Sequence, residues 1–446
     1  MHDTDSISRL SNEILLKIFE DDLTTTATLA SCATCCKRWS ALATSVLYRH
    51  VALTGTRKLS RWIAAAPESP PLSSATESLT IYVTKDWDED GPDSDANAME
   101  QVRQDLDRLP ARLRQMARLR SFSIFTPEGR TPASWAPSSS VEKILQAIPA
   151  NCSSLEVFID GRLQPADDSS EQQETSHLCI SIRQLLPQLQ YLRLALPCLC
   201  PESFGSVSAQ TSAGPSDFVP ADAPELRECI IRLASPFGGG DVKRFDGPCN
   251  PGVSISGVEA FVKCLLTMVD ARKMPLIEKL WVCDALPKID IHANTSYGAF
   301  VRRDVLTKKS HTFPWNRLPP HPVTNNYFLV RMPGEEGGED LLATKQGAEF
   351  LVERCGWMTA GNGSRLPASL MHKYRLPRQE SVVQTREEWS ASCRKTTQLW
   401  KNETTTGMRL LEGETGDLLE DRPAELQVPE GWRWDEFDLG FLEKDT

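Results

Sequence analysis

The sequence predicts a chain of mixed α+β and α/β class: a small three-helix module, then an irregular α/β solenoid. Two observations carry this. Apolar residues recur three times at helical spacing between Leu10 and Leu53. A pattern Leu-x-x-Φ-x-Φ (Φ apolar) then recurs along the middle of the chain, with helical stretches between its copies. The competing arrangement is a doubly wound sheet, which alternates in the same way. The fixed leucine before each strand and the lack of a glycine-rich strand-to-helix turn favour the solenoid.

The N-terminal module reads as follows. Ile14, Leu15, Ile18 and Phe19 share one helix face, with Ser11 placed to cap it and Glu13 at the positive end of the dipole. Leu29, Cys32 and Cys36 give the next apolar stripe, and Trp39, Leu42, Ala43, Val46 and Leu47 the third. So small a unit buries too little surface to stand alone. It also offers more large apolar side chains than three short helices can hide, so the rest of the chain or a partner must cover them.

Residues Leu10 to Leu53 resemble an F-box. The match runs through Leu10, Glu13, Ile14, Leu15, Ile18 and Phe19, then Cys36-Lys37-Arg38-Trp39, then Leu47-Tyr48-Arg49 and Val51. The layout is similar to that of many fungal F-box proteins. Ser11 stands where the family usually has a proline that lies at the adaptor interface, and serine can still start the helix. The resemblance implies docking onto a Skp-type adaptor, and through it onto a cullin–RING ubiquitin ligase. It assigns Leu10, Glu13, Ile14, Leu15, Ile18, Phe19, Leu29, Cys36, Trp39 and Leu47 to that contact. "LYRHV" (47–51) becomes the exit strand that joins the next domain.

In the middle region the pattern appears as Leu119/Phe122/Ile124, Leu189/Leu192/Leu194, Leu226/Cys229/Ile231 and Ile277/Leu280/Val282. Weaker copies are Thr76/Leu79/Ile81 and Leu155/Phe158. Helical stretches at 101–117, 141–148, 180–186 and 257–271 precede several of them. Each unit therefore reads as helix, turn and short buried strand, as in a leucine-rich-repeat-like array whose excess length sits in polar loops. The expected organisation is an F-box at 1–55, the repeat region at 56–285, its extension with a basic–aromatic segment at 286–411, and an acidic aromatic tail at 412–446.

Net charge is −11, which argues against a general nucleic-acid or anionic-membrane binder. The tail from Glu412 to Thr446 has 12 acidic and 3 basic residues, so most of the charge lies there. No stretch approaches a membrane span, and "MHDTDSISRL" lacks the order of a signal peptide. With 13 scattered cysteines, the expected compartment is cytoplasmic or nuclear. Cys32-x-x-Cys35-Cys36 has metal-like spacing but no second pair nearby, and no phosphate-binding or hydrolase motif is complete, so neither a metal nor another cofactor is expected.

The segment 297–317 mixes six basic residues with aromatics, and Arg302, Arg303, Lys308, Lys309 and Trp315 suit an acidic or phosphorylated segment of a protein substrate. The tail, with Trp432, Trp434, Phe437, Leu439 and Phe441 among acids, is either a partner motif or a lid folded back over that basic segment. The expected function is a non-enzymatic substrate receptor of a ubiquitin ligase. The alternatives are a repeat-type interaction scaffold and, more remotely, a thiol hydrolase needing a cysteine of low pKa.

Overall fold

The computed structural model describes residues 10–20, 26–65, 75–83, 92–126, 136–159, 178–196, 199–207, 218–233, 257–292, 295–317, 327–332, 340–344, 383–384, 398–410, 413, 415–418, 428–435 and 442–444. These fall into two compact units.

The first unit opens with α1 (Asn12–Phe19), α2 (Thr26–Cys35) and α3 (Lys37–Leu47). Cys36, expected on the stripe of the middle helix, is instead an extended, exposed residue at the start of α3. The three helices close over Phe19, Leu29 and Ala43, with Cys32, Trp39, Leu42, Val46 and Leu47 packed against them. The Phe19 and Trp39 rings meet edge-to-face at 5.7 Å. The chain then passes through β1 (His50–Thr54), α4 (Thr56–Ala65), β2 (Ser78–Tyr82), α5 (Pro92–Leu113), β3 (Ser121–Thr126), α6 (Ser138–Gln146) and β4 (Ser154–Ile159). The sequence reading did not anticipate α4. Its signal is Leu59, Trp62 and Ile63 at i, i+3 and i+4, all buried. Gly55, at φ +86°, lets β1 turn into α4 without a Cβ clash.

Strands β1 to β4 are parallel, and each pairs with the next in chain order. A doubly wound sheet would reverse that order partway. The register explains the sequence pattern. Val51, Leu79, Phe122 and Leu155 form one row across the strands, and Leu53, Ile81, Ile124 and Val157 form another, all of them buried. The β4 copy expected at Leu155/Phe158 starts three residues too late. The buried positions are Cys152, Leu155 and Val157, with Cys152 in the place of the leucine. Phe158 lies on the opposite face, where its ring stacks on Phe125, which stacks in turn on Tyr82.

The leucine position has a mechanical cause. Leu119 donates its N–H to Met116 O (3.0 Å) and Cys152 to Pro149 O (2.9 Å), each closing a one-turn bend that aims the next residues into a strand. At the start of the strand, one carbonyl then accepts two consecutive amides. Arg49 O takes Glu77 and Ser78, Glu77 O takes Arg120 and Ser121, and Arg120 O takes Ser153 and Ser154, all between 2.8 and 3.1 Å. Buried backbone groups must be paired, and this arrangement satisfies them identically at every step.

The second unit repeats the device. It contains α7 (Leu178–Leu185), β5 (Tyr191–Ala195), the small hairpin β6 (Gly205–Val207) and β7 (Phe218–Pro220), then β8 (Glu228–Arg232), α8 (Gly257–Asp270) and β9 (Lys279–His292). Strands β5, β8 and β9 are parallel in chain order. Leu189, Leu226 and Ile277 close the same bend, and Gln190 O and Arg227 O each accept two amides of the following strand. The pattern then stops. Strands β10 (Thr295–Asp304), β11 (Lys309–Arg317), β12 (Tyr327–Arg331), β13 (Asp340–Thr344) and β14 (Val383–Gln384) continue the sheet antiparallel. Helix α9 (Gln398–Thr406) follows, then β15 (Thr415–Asp417), which pairs with β11, and the hairpin of β16 (Trp432–Trp434) with β17 (Leu442–Lys444). The helix expected at 346–358 lies outside the described residues, as does most of the one expected at 386–400.

Candidate functional site

The residues assigned to the N-terminal site divide by burial. Leu15, Phe19 and Leu29 are buried in the module itself, and Trp39 and Leu47 are half-buried against them. Leu10 is half-buried, and Glu13 and Cys36 are exposed. Ile14 and Ile18 remain on the outer face of α1, one helical turn apart, 47% and 48% exposed. Two isoleucines this open on adjacent turns are the surplus apolar surface that the sequence implied, because burying the exposed half of each would contribute about 1 kcal/mol.

Local chemistry holds that face in position. Ser11, in extended conformation at φ −66° and ψ 160°, caps α1 by accepting the Ile14 N–H at 3.4 Å. Its side chain also hydrogen-bonds the Glu13 carboxylate, which chiefly accounts for a pKa below the usual range for that exposed group. Arg38 on α3 reaches back across the module, donating to Asn12 Oδ1 at 2.8 Å and to the Leu10 carbonyl. The Lys37-Arg38-Trp39 run thus locks the start of α1 (Arg38) and fills the core (Trp39).

At the other end of the module, Arg49 contacts Glu20 and lies 3.9 Å from Glu77. His50 beside it titrates below its ordinary value, mainly through burial and then through the charge of Arg49, while Glu77 and Glu20 oppose the shift. The folded chain therefore keeps this ring neutral, whereas the unfolded chain takes up a proton near pH 6.5. The stability contributed by neutral His50 is complete above about pH 6.5. It declines as pH falls below that, by at most about 1.4 kcal/mol per pH unit. We expect wild type to lose more melting temperature between pH 7.5 and pH 5.5 than a His50→Gln chain. Equal losses would remove His50 as the cause.

The basic–aromatic segment is not arranged as an open patch. Arg302, Arg303 and Trp315 are buried, Arg303 to 1% exposure, while Lys308 and Lys309 are exposed. Strand β10 lies between β9 and β11, and its two arginines have been taken into the packing. The Arg302 guanidinium sits over the Trp281 ring at 4.6 Å and the Phe313 ring at 5.0 Å, an attraction that strengthens out of water. Trp315 and Phe313 belong to an apolar cluster with Phe300 and Val330. Lys308, at φ +56°, ends the turn from β10 to β11, whose amides at Leu306 and Thr307 are held by Asp304 Oδ1.

The tail does fold back within the second unit. Strand β15 pairs with β11 in the register Lys309–Asp417, Ser310–Gly416 and His311–Thr415. Asn402 on α9, itself buried, accepts the Leu442 N–H at 2.9 Å. Arg433 pairs with Glu443 across the β16–β17 hairpin at 2.8 Å. Phe437, Leu439 and Phe441 lie outside the described residues.

Three thiols bear on the hydrolase alternative. Burial pushes Cys152 up to about 12 and Cys264 to about 11, and raises Cys229 as well. These three stay protonated near neutral pH. Among the described residues no group of three or more His, Cys, Asp or Glu side chains could hold a metal ion, and no helix is long and apolar enough to cross a membrane.

In comparison with known families, residues 7–54 fit the model of the F-box-like domain. The matched segment ends on β1, so it covers the three helices and the first strand of the sheet. No curated protein and no solved structure matches the chain.

Proposed function

Starting from the F-box-like domain that the chain carries at residues 7–54, we propose that this protein is a substrate-recognition subunit of a Skp/cullin/F-box ubiquitin ligase. The F-box-like helices bind a Skp-type adaptor, the adaptor joins a cullin–RING ligase, and the sheet domain selects a target protein. The observation that carries this reading is the pair Ile14 and Ile18, left open on α1 inside the matched segment. An F-box-like module with a formed core and a half-exposed isoleucine face is suited to completion by another protein. The parallel units that follow are read as degenerate leucine-rich repeats, in a layout of the fungal kind.

On this reading the chain is not itself an enzyme. It works in the cytoplasm or nucleus by proximity, raising the effective concentration of target lysines near a charged conjugating enzyme supplied by other subunits.

The test is calorimetric titration of the purified full chain with a Skp-type adaptor. Wild type is expected to bind, and Ser11→Pro to bind severalfold more tightly. The φ of −66° at residue 11 already suits proline, and the family's proline lies at the contact. A folded wild-type chain that does not bind would sink the receptor reading and leave a repeat-type interaction scaffold in its place.

A further inference from the structure

Strand β11 pairs with β10 along Lys309–Asn316, so its other edge receives both β12, at Trp315–Arg317, and β15, at Lys309–His311. The second neighbour comes from far along the chain. Without it, the amides and carbonyls of Lys309–His311 would form a short open edge, which an extended segment can complete by main-chain pairing.

The segment that does complete it has a readable chemistry. Thr415 and Asp417 are exposed and Gly416 half-buried, while Leu418 is 5% exposed. Ser310 Oγ donates to the Asp417 carbonyl at 3.0 Å, and Thr415 Oγ1 lies 3.2 Å from His311 Nδ1. Asp417 lies opposite Lys309 in register and both are exposed, with the exposed Lys308 next to Lys309 in the chain. Leu418, buried just beyond the paired residues, is the one large apolar side chain of the segment among the described residues.

The hold is light compared with its flanks. Before β15, Glu403 of α9 forms a buried, two-pronged pair with Arg331 at 2.8 and 3.0 Å. After it, Leu442 of β17 is buried and bonded to buried Asn402. Among the described residues, β15 itself is held by three residue pairs at a sheet edge, a contact of the kind that opens locally at low cost.

We propose that the Lys309–His311 edge is a peptide-binding slot for an extended acidic segment of the form small–Gly–acidic–large apolar, and that Thr415–Leu418 occupies it in cis. The slot is a surface for main-chain pairing, with Lys308 and Lys309 reading the acid and an apolar site reading the residue after it. It rests on the receptor reading for its role, since the segment would belong to the target protein. The binding itself stands apart from that reading.

The experiment uses full-length protein and a fluorescein-labelled peptide with the sequence of residues 412–420, EGETGDLLE, followed by anisotropy. A Thr415→Pro/Gly416→Pro/Asp417→Pro chain has lost every N–H of β15, so it can donate nothing to the edge of β11 and the pairing is weakened whichever amides take part. We expect this variant to bind the peptide about tenfold more tightly than wild type, in which a tethered competitor at about millimolar effective concentration fills the slot. Lys309→Glu in the triple-proline background should reverse most of that gain, and a peptide with lysine in place of the aspartate should not compete. Equal binding by wild type and the triple-proline chain, no binding by a folded triple-proline chain, or indifference to Lys309→Glu would each overturn the slot. The same variants are titrated with the adaptor. Intact adaptor binding with failed peptide binding rejects the slot alone, and the converse rejects the receptor reading alone.

Discussion

Replacing Ile14 and Ile18 together with aspartate is expected to abolish adaptor binding, by a hundredfold or more, while leaving the melting temperature of the chain nearly unchanged. Both side chains are about half-exposed already, so the fold loses little when they go. The complex loses burial of the exposed half of each, about 1 kcal/mol apiece, and two carboxylates would then have to be desolvated at the contact. Trp39 and Phe19 are poor probes of the same question. Their rings pack together inside the module, so truncation to alanine is expected to cost about 3–5 kcal/mol of stability. Binding lost by that route would report unfolding. Calorimetry on the double aspartate variant, with a melt beside it, separates the cases. Unchanged affinity would remove the α1 face from the interface.

The second large effect is expected at Arg331 and Glu403. Both side chains are almost fully buried, and Glu403 Oε1 also accepts the Leu410 N–H at 3.0 Å. Removing either partner leaves a charge without its counterpart in the interior, which costs about 3–5 kcal/mol. Arg331→Ala or Glu403→Ala should therefore release α9 and the segment after it from β12. A chain of two compact units need not unfold in one step, so a global melt is a weak readout. Amide hydrogen exchange over residues 398–410 is the direct one, and protection there should fall in either variant. The double change Arg331→Met/Glu403→Leu is expected to restore much of it, because the pair can be replaced by apolar packing but not halved. Protection retained in the single variants would show that the pair holds nothing in place.

Local rules found most of the elements. The three N-terminal helices, the buried strand rows and the helices of the repeat units follow from spacing that the chain keeps over ten to twenty residues at a time. The failures have two causes, a partner far away in sequence and a local pattern drawn too narrowly. Arg302 read as surface because nothing nearby says that Trp281 and Phe313 will close over its guanidinium from the two neighbouring strands. Cys152 escapes a pattern written for leucine, whereas the bend that places this residue asks only for a buried side chain and an amide able to donate. Cys36 was assigned to the middle stripe because the break between α2 and α3 leaves the period almost undisturbed. At the candidate sites, the exposed isoleucine face was implicit in the surplus of apolar residues. The pairing of Thr415–Asp417 with β11 was legible only as an acidic tail facing a basic segment, since register across so long a separation has no local signature.

The shared strand β1 has a consequence for how force and orientation pass through the first unit. It closes the F-box-like segment and is also the first plank of the parallel sheet, so the two share a strand instead of a linker. Whatever seats on α1 fixes the bearing of those strands, as a bracket fixes a shelf. A cut after residue 54 would strip β2 of its neighbour and leave a raw hydrogen-bonding rim on one fragment and a dangling strand on the other. The two are separate modules by sequence signature and one piece of masonry by construction.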